Sequence, residues 1–183
     1  MNLNLFSSRL RQNFPLVKEP ASMEHSAAVM LILFPYLGRT HVLMIKRAMT
    51  LKLHKGEIAF PGGIFEDDDE HLLDTALRET QEEIDLEIPI ERVMARMNPV
   101  ETRTGFIVSP FVTLLDQAPD CRDSFNEDEV EEVLFIPLTP LIATQQRDVG
   151  FKREEEMYVY WYERHRIWGA SAKMLHQLGE LIF

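Results

Sequence analysis

Three glutamates, Glu79, Glu82 and Glu83, stand close together on one expected helix, and the chain reaches them through the turn Phe60-Pro61-Gly62-Gly63. Leu73, Ala76, Leu77, Thr80 and Ile84 recur at helical spacing from about Glu70 to Ile84 and form one mostly apolar stripe. At about 100° per residue the glutamates, at i, i+3 and i+4, share an arc of roughly 100° beside that stripe. Like charges at this spacing cost roughly a few tenths of a kcal/mol on an exposed helix, and more where water is excluded. A hard divalent cation relieves the repulsion, because Mg²⁺ takes carboxylate oxygens and bridges to substrate phosphates. For the glutamates alone, a solvated acidic helix face is the plainer account. The upstream turn shifts the balance: its glycines permit close backbone approach to a ligand, and the acidic loop Glu66 to Glu70 returns the helix to face it.

The 183 residues, 45% of them hydrophobic, suit one domain with a sizeable core, residues 1–25 forming an N-terminal helix and lead-in. A net charge of −11 argues against nonspecific binding to nucleic acid or to an anionic membrane, since both need cationic surface. An anionic small-molecule substrate must therefore arrive with a metal or find a local basic patch. Such a patch exists: Lys46, Arg47, Lys52, His54 and Lys55 lie just before the Gly62-Gly63 turn. The lone Cys121 excludes an internal disulfide and suits a reducing compartment. No apolar run reaches about 18 residues and no secretory leader is visible, so the expected location is the cytoplasm.

Along the chain, Phe6 to Phe14 reads as a short amphipathic helix followed by a turn around Pro15 and Pro20. Ser26 to Phe34 and Thr40 to Lys46 read as a hairpin across Tyr36-Leu37-Gly38-Arg39, and Ile58 to Phe60 as a short strand. Val93 to Val100 and Gly105 to Leu115 read as two more strands, with Pro110 predicting a bulge or an edge. An acidic loop from Ala118 to Glu132 leads into a strand Val133 to Ile136 and a short helix Pro137 to Thr144. A hairpin of Asp148 to Arg153 with Met157 to Glu163 and a closing helix Ser171 to Leu181 complete the chain. Strands alternating with two principal helices predict an α/β fold, an α/β/α sandwich around a mixed β-sheet.

The glycine turn and acidic helix resemble the box of the Nudix hydrolases, G-x5-E-x7-R-E-U-x-E-E-x-G-U with U a bulky aliphatic. Gly63, Arg78, Glu79, Glu82, Glu83 and Leu86 match it. Three positions depart. Fourteen residues rather than thirteen separate Gly63 from Arg78, so Asp69 or Glu70 stands for the family's first glutamate; Thr80 replaces an aliphatic; and Asp85 replaces the helix-ending glycine. Asp tolerates the left-handed cap better than most residues. The segment Leu43 to Arg47 through Leu51, His54, Gly56 and Phe60-Pro61-Gly62-Gly63 resembles the extra signature of the coenzyme A pyrophosphatase branch, which also carries the additional loop residue. Ile167-Trp168-Gly169-Ala170-Ser171-Ala172 resembles that branch again.

The resemblance implies the Nudix-type sandwich and metal-dependent cleavage of coenzyme A or its derivatives to 3′,5′-ADP and 4′-phosphopantetheine, with Mg²⁺ or Mn²⁺. It implies Glu82 and Glu83 as principal ligands, Glu79 as ligand or base, and the Gly63 carbonyl as a further ligand. Arg78 is expected to orient the cluster through charge-assisted hydrogen bonds. Glu129-Val130 resembles the stretch that returns a carboxylate to the site, as general base or additional ligand. Arg47, with Lys46, His54, Lys55 and Gly62, is the expected contact for substrate phosphates. Two other classes compete: a Nudix enzyme for ADP-ribose or a nucleoside triphosphate, and a binding module without hydrolysis. The intact carboxylate set counts against the module. Whether free, acylated or oxidised coenzyme A is preferred, and whether the protein forms a homodimer, stay open.

Overall fold

A computed structural model describes residues 3–16, 25–149 and 157–182. After helix α1 (Leu3–Asn13), strands β1 (Ser26–Tyr36) and β2 (Arg39–Arg47) form the expected hairpin. Its two loop residues, Leu37 and Gly38, both have positive φ, at 47° and 73°, as a two-residue turn matching the strand twist requires. β3 (Ile58–Ala59) and β4 (Gly62–Ile64) follow, then α2 (Leu72–Ile84), a 3₁₀ turn at Ile90–Arg92, and β5 (Val93–Arg96), β6 (Val100–Glu101) and β7 (Ile107–Leu114). β8 (Val130–Pro137), α3 (Leu138–Ile142), β9 (Gln146–Arg147), β10 (Tyr158–Tyr162), β11 (His165–Ile167) and α4 (Gly169–Ile182) complete the described chain.

The main sheet is mixed. β1 pairs with β7 in parallel and with β2 antiparallel, and β8 runs along the far edge of β2. The β1–β2 hairpin stays paired only from Tyr36 opposite Arg39 to Ile32 opposite Leu43. Beyond that the strands splay, and β3 and β4 fill the opening. Ile45 and Lys46 of β2 pair with Ala59 and Ile58, while Ala27 to Val29 of β1 pair with Ile64 to Gly62. The N–H of Met30 donates to the Pro61 carbonyl at the apex of this wedge.

Alternation along β1 separates two cores. Ala28, Met30, Ile32 and Phe34 pack with Leu72, Leu73, Ala76 and Ile84 of α2 on one face. Leu31 and Leu33 pack on the other with Phe6 and Leu10 of α1, Leu141 of α3, and Leu175 and Leu178 of α4. Each fully buried side chain of this kind contributes about 1.5–3 kcal/mol. The layers are those of the α/β/α sandwich that the sequence predicts.

Several boundaries differ from the sequence reading. α2 starts at Leu72 because Asp69 turns back to accept the Glu66 N–H, and Asp74 accepts that of His71. β8 starts at Val130, fully buried and paired with Arg47, so the strand takes in part of the acidic stretch. Pro110 lies inside the sheet, opposite Val29 of β1. Its carbonyl accepts the Met97 N–H on the side where the β5–β6 strand is interrupted, so its missing donor faces a gap in the neighbouring ladder. β10 pairs with both β9 and β11 as a small separate sheet, and β9 precedes the expected hairpin arm Asp148 to Arg153. Most of that arm, like Pro20, lies outside the described residues. No helix among the described residues is long and apolar enough to cross a membrane.

Candidate active site

The carboxylates of Glu79, Glu83 and Glu129 converge, each offering an oxygen within 4.8 Å of the others. Two come from α2 and the third from the residue before β8. Glu83 sits on the buried stripe of its helix, 1% exposed. Its Oε2 accepts the Gly62 N–H at 2.9 Å and its Oε1 faces Arg47 Nη1 at 3.3 Å. Glu129 is delivered by the β2–β8 ladder, whose register slips between Lys46 and Arg47. Its carbonyl accepts the Ala48 N–H at 2.8 Å. A bulge is one way for a strand pair to re-aim a side chain into a site.

The glycine turn is moulded to these groups. A Cβ at Gly63 would lie 2.2 Å from Glu79 Oε1, and one at Gly62 would lie 2.2 Å from the Ala28 carbonyl oxygen. Only glycine lets the β3–β4 backbone come this close to the helix and the sheet at once.

Burial and mutual repulsion shape the electrostatics. Desolvation pushes Glu83 up to about 8, opposed by the Gly62 N–H and the charge of Arg47 and reinforced by Glu79 and Glu129. Burial likewise raises Glu79, opposed by Arg78 and reinforced by Glu82 and Glu129. With Glu129 beside these two raised carboxyls, the three form an oxygen-only donor set suited to a hard divalent cation, Mg²⁺ or Mn²⁺. A cation there would offset both effects.

Arg78 holds the cluster from outside. Its Nε and Nη2 reach the two oxygens of Asp69 at 3.0 Å each, its Nη1 reaches Glu79 at 2.9 Å and Glu82 at 3.1 Å, and Nη2 also donates to the Ile64 carbonyl. Burial alone would raise Asp69, but hydrogen bonds from Arg78, the Glu66 N–H and Thr75, with the charge of Arg78, bring it below its ordinary value. Between the two candidates for the first acidic position, then, Asp69 is buried against Arg78 and Glu70 is exposed. Thr80, in the aliphatic position, is buried with its hydroxyl bonded to the Ala76 carbonyl. Asp85 caps the helix in the left-handed conformation, φ 50° and ψ 38°.

The remaining expected residues divide. Glu82 is 55% exposed and rests on Arg78, outside the converging trio. Arg47 and His54 line the cleft beside the carboxylates; Lys46 is paired with Glu131, while Lys52 and Lys55 are exposed and do not line it. His54 contacts Glu57 at 3.2 Å, and the buried Nε of Arg47 has no hydrogen-bond partner. The loop bearing these residues closes at its base, where the Arg47 N–H donates to the Glu57 carbonyl and the Gly56 N–H to the Arg47 carbonyl.

The cleft has a volume of about 360 Å³. The β3–β4 wedge forms one side, and the β6–β7 turn (Glu101 to Thr104), Phe106, Val108, Trp168 and the first turns of α4 form the rest. Sequence reasoning gave Glu101 to Thr104 no role beyond a linker. Its one signal for this wall was the Trp168-Gly169 segment, known only through resemblance.

A model of the NUDIX domain matches residues 24–157. An uncharacterized Nudix hydrolase NudL from Pectobacterium atrosepticum is 33% identical over 181 residues, 97% of this chain and 93% of its own. A second NudL, from Photorhabdus laumondii, is 29% identical, spanning 100% of this chain and 98% of its own. Among solved structures, a MutT/nudix family protein from Enterococcus faecalis aligns over 98% of this chain and 67% of that one, with a TM-score of 0.59 at 15% identity. The NUDIX domain of Shewanella oneidensis NrtR, complexed with ADP ribose, aligns over 66% and 77% with a TM-score of 0.53 at 18% identity. At these identities the two structures share the fold.

Proposed function

The chain belongs to the Nudix family as a pyrophosphohydrolase, and from that premise we propose that it cleaves coenzyme A or a derivative to 3′,5′-ADP and 4′-phosphopantetheine. One observation carries this choice of substrate. The two segments that resemble the coenzyme A branch, far apart in sequence, line the same cleft: Arg47, His54, Phe60, Gly62 and Gly63 from the first, Trp168 to Ser171 from the second. The first adjoins the carboxylate trio through Gly62 and Gly63. The apolar side chains between them, Val29, Phe60, Val108 and Met174, suit a pantetheine arm.

Glu79 and Glu83 would hold Mg²⁺ or Mn²⁺, which supplies charge neutralisation on the pyrophosphate and activation of water. The chain's own residues do the rest. The Gly62 N–H and Arg47 fix Glu83, and Arg78, itself clamped by Asp69, fixes Glu79. Glu129, carried by a different element, is the general base that accepts the proton from the attacking water. Arg47, lining the cleft beside Glu83, contacts a pyrophosphate oxygen. In this assignment Glu129 completes the trio, and Glu82 helps to position Arg78.

The test is a substrate panel of coenzyme A, acylated and oxidised coenzyme A, dephospho-coenzyme A, ADP-ribose and nucleoside triphosphates, with Mg²⁺ or Mn²⁺ and products resolved by mass. We expect the highest kcat/KM on a coenzyme A species, with 3′,5′-ADP as the nucleotide product. A preference for ADP-ribose or a triphosphate would overturn the substrate assignment and leave the hydrolase in place.

A further inference from the structure

Two arginines flank the carboxylates, and they are held differently. Arg78 has a counter-ion outside the converging trio: both oxygens of Asp69 engage it, besides Glu79 and Glu82. Among the described residues Arg47 pairs with Glu83 alone, at 3.3 Å, a long contact for a charge-assisted bond. Its Nε is buried and unpartnered, so this arrangement leaves a donor of the guanidinium unmatched, which is costly. Glu83 is 1% exposed and its Oε2 accepts the Gly62 N–H, which leaves Oε1 as the oxygen that faces Arg47.

Once Glu83 serves a divalent cation, its charge no longer compensates Arg47, and the two positive groups repel. Arg78 keeps Asp69 in that event, whereas Arg47 is left without a counter-ion on the cleft it lines. The backbone of Arg47 is fixed from both sides, its N–H donating to the Glu57 carbonyl and its carbonyl accepting the Gly56 N–H, each at 3.0 Å. A change of partner is therefore confined to the rotamers of one long side chain.

We propose that Arg47 couples the cation to the substrate: it neutralises Glu83 while the cation is absent and turns to a diphosphate oxygen when Glu83 binds the cation. Its two contacts are thus made in turn. The inference rests on the functional reading, which gives Glu83 to the cation, and it holds for any diphosphate substrate. In this role Arg47 opposes the metal and favours the anion.

Two measurements test it. In the first, Mg²⁺ alone is titrated by calorimetry into the wild type, Arg47→Ala, Arg47→Gln and Arg47→Lys, at about pH 9, above the value of about 8 to which burial raises Glu83. With the opposing charge removed, Arg47→Ala and Arg47→Gln should bind Mg²⁺ at least about 3-fold more tightly than the wild type, and Arg47→Lys within about 2-fold of it. A residue that merely held Glu83 in place would give the opposite sign. The second uses methylenediphosphonate, whose P–C–P bridge resists hydrolysis. Loss of Arg47 should weaken its binding by about 10- to 100-fold at saturating Mg²⁺ and by under about 3-fold without metal. Every variant meets the same metal-bound diphosphonate, so the ratio isolates Arg47. Arg47→Gln keeps much of the side-chain volume and decides the matter should Arg47→Ala not fold. A gain in Mg²⁺ affinity under about 3-fold, or any loss, in the neutral variants overturns the coupling while the hydrolase stands. Losses of diphosphonate binding that are equal with and without metal, or absent, do the same. If Glu83→Gln leaves Mg²⁺ binding unchanged, the cation site of the functional reading fails, and the coupling with it.

Discussion

The carboxylate cluster and the far wall of the cleft that adjoins it are built on opposite plans. At the carboxylate end, the groups lie mostly within one stretch, Gly62 to Glu83, and are enclosed and bonded to one another. At the far wall, Arg103, Trp168 and Lys173 come from two distant segments and are more open to solvent, Arg103 exposed and the other two half-buried. Chemistry needs groups held to fractions of an ångström, and a helix facing a glycine turn supplies that from local sequence. Selection of a substrate group tolerates side chains on a turn and a helix start, which can change without disturbing the chemistry.

Five predictions bear on that contrast. The largest effect should follow Glu83→Gln, with kcat falling by at least about 10³-fold while the fold is kept, since the amide retains the shape and loses the charge. Turnover within about 10-fold of wild type at saturating Mg²⁺ would remove Glu83 from the cation site. The same residue gives a metal-free signature. Glu83 is raised from near 4.5 to about 8, so between those values the folded chain holds a proton that the unfolded chain has lost. The stabilisation is fully present below the lower value and lost as pH rises through the upper one. Without metal, Tm should therefore fall between about pH 5 and 8, less so in Glu83→Gln, and added Mg²⁺ should restore most at the alkaline end.

Glu129→Gln should lower kcat by about 10²- to 10⁴-fold with little change in KM, as expected for a base acting in the transition state. A rise in the Mg²⁺ requirement with kcat recovered at high metal would instead make Glu129 a ligand. Asp69→Asn, which frees Arg78 without touching the trio, should cost about 10- to 100-fold in kcat or apparent Mg²⁺ affinity. If it matches Glu83→Gln, Asp69 belongs to the chemistry itself. The smallest effect should be that of Glu82→Gln, under about 3-fold, because this side chain is mostly solvated and shares Arg78 with two better-buried partners. A loss comparable to that of Glu83→Gln would restore Glu82 as a principal ligand.

What the sequence made legible follows the same division. The helix, its apolar stripe and the Asp85 cap are set by neighbours within a few residues, and the glycine turn lies only 21 residues before the Glu83 it meets. Helical spacing brought Glu79, Glu82 and Glu83 to one arc but did not distinguish 82 from 83. The distinction lies in the stripe: Glu83 follows Ala76 and Thr80 by seven and three residues and is carried into the core with them, whereas Glu82 is turned about 100° away. Asp69 could not be separated from Glu70 without the backward turn of the loop. Glu129 was reachable only by resemblance, because its position depends on a register slip between β2 and β8. The far wall depends on strand pairing and helix docking across the whole chain, and no local pattern announced it. Pro110 was readable as a disturbance, though not as one absorbed by a gap in the neighbouring strand.

The loop between β2 and β3 hangs from a base closed by reciprocal backbone bonds between Arg47 and Gly56-Glu57. Strain or slack introduced between those anchors stays within the loop, and the wedge that carries Gly62 and Gly63 does not feel it. Doubling the length of such a loop costs only about 0.6 kcal/mol in closure entropy. Residues 51–55, beyond the bonds that tie Ala48 to Glu129 and Thr50 to Asp128, thus form a module that evolution or a designer can lengthen, shorten or exchange to reshape the mouth of the cleft while the hydrolytic apparatus stays in register.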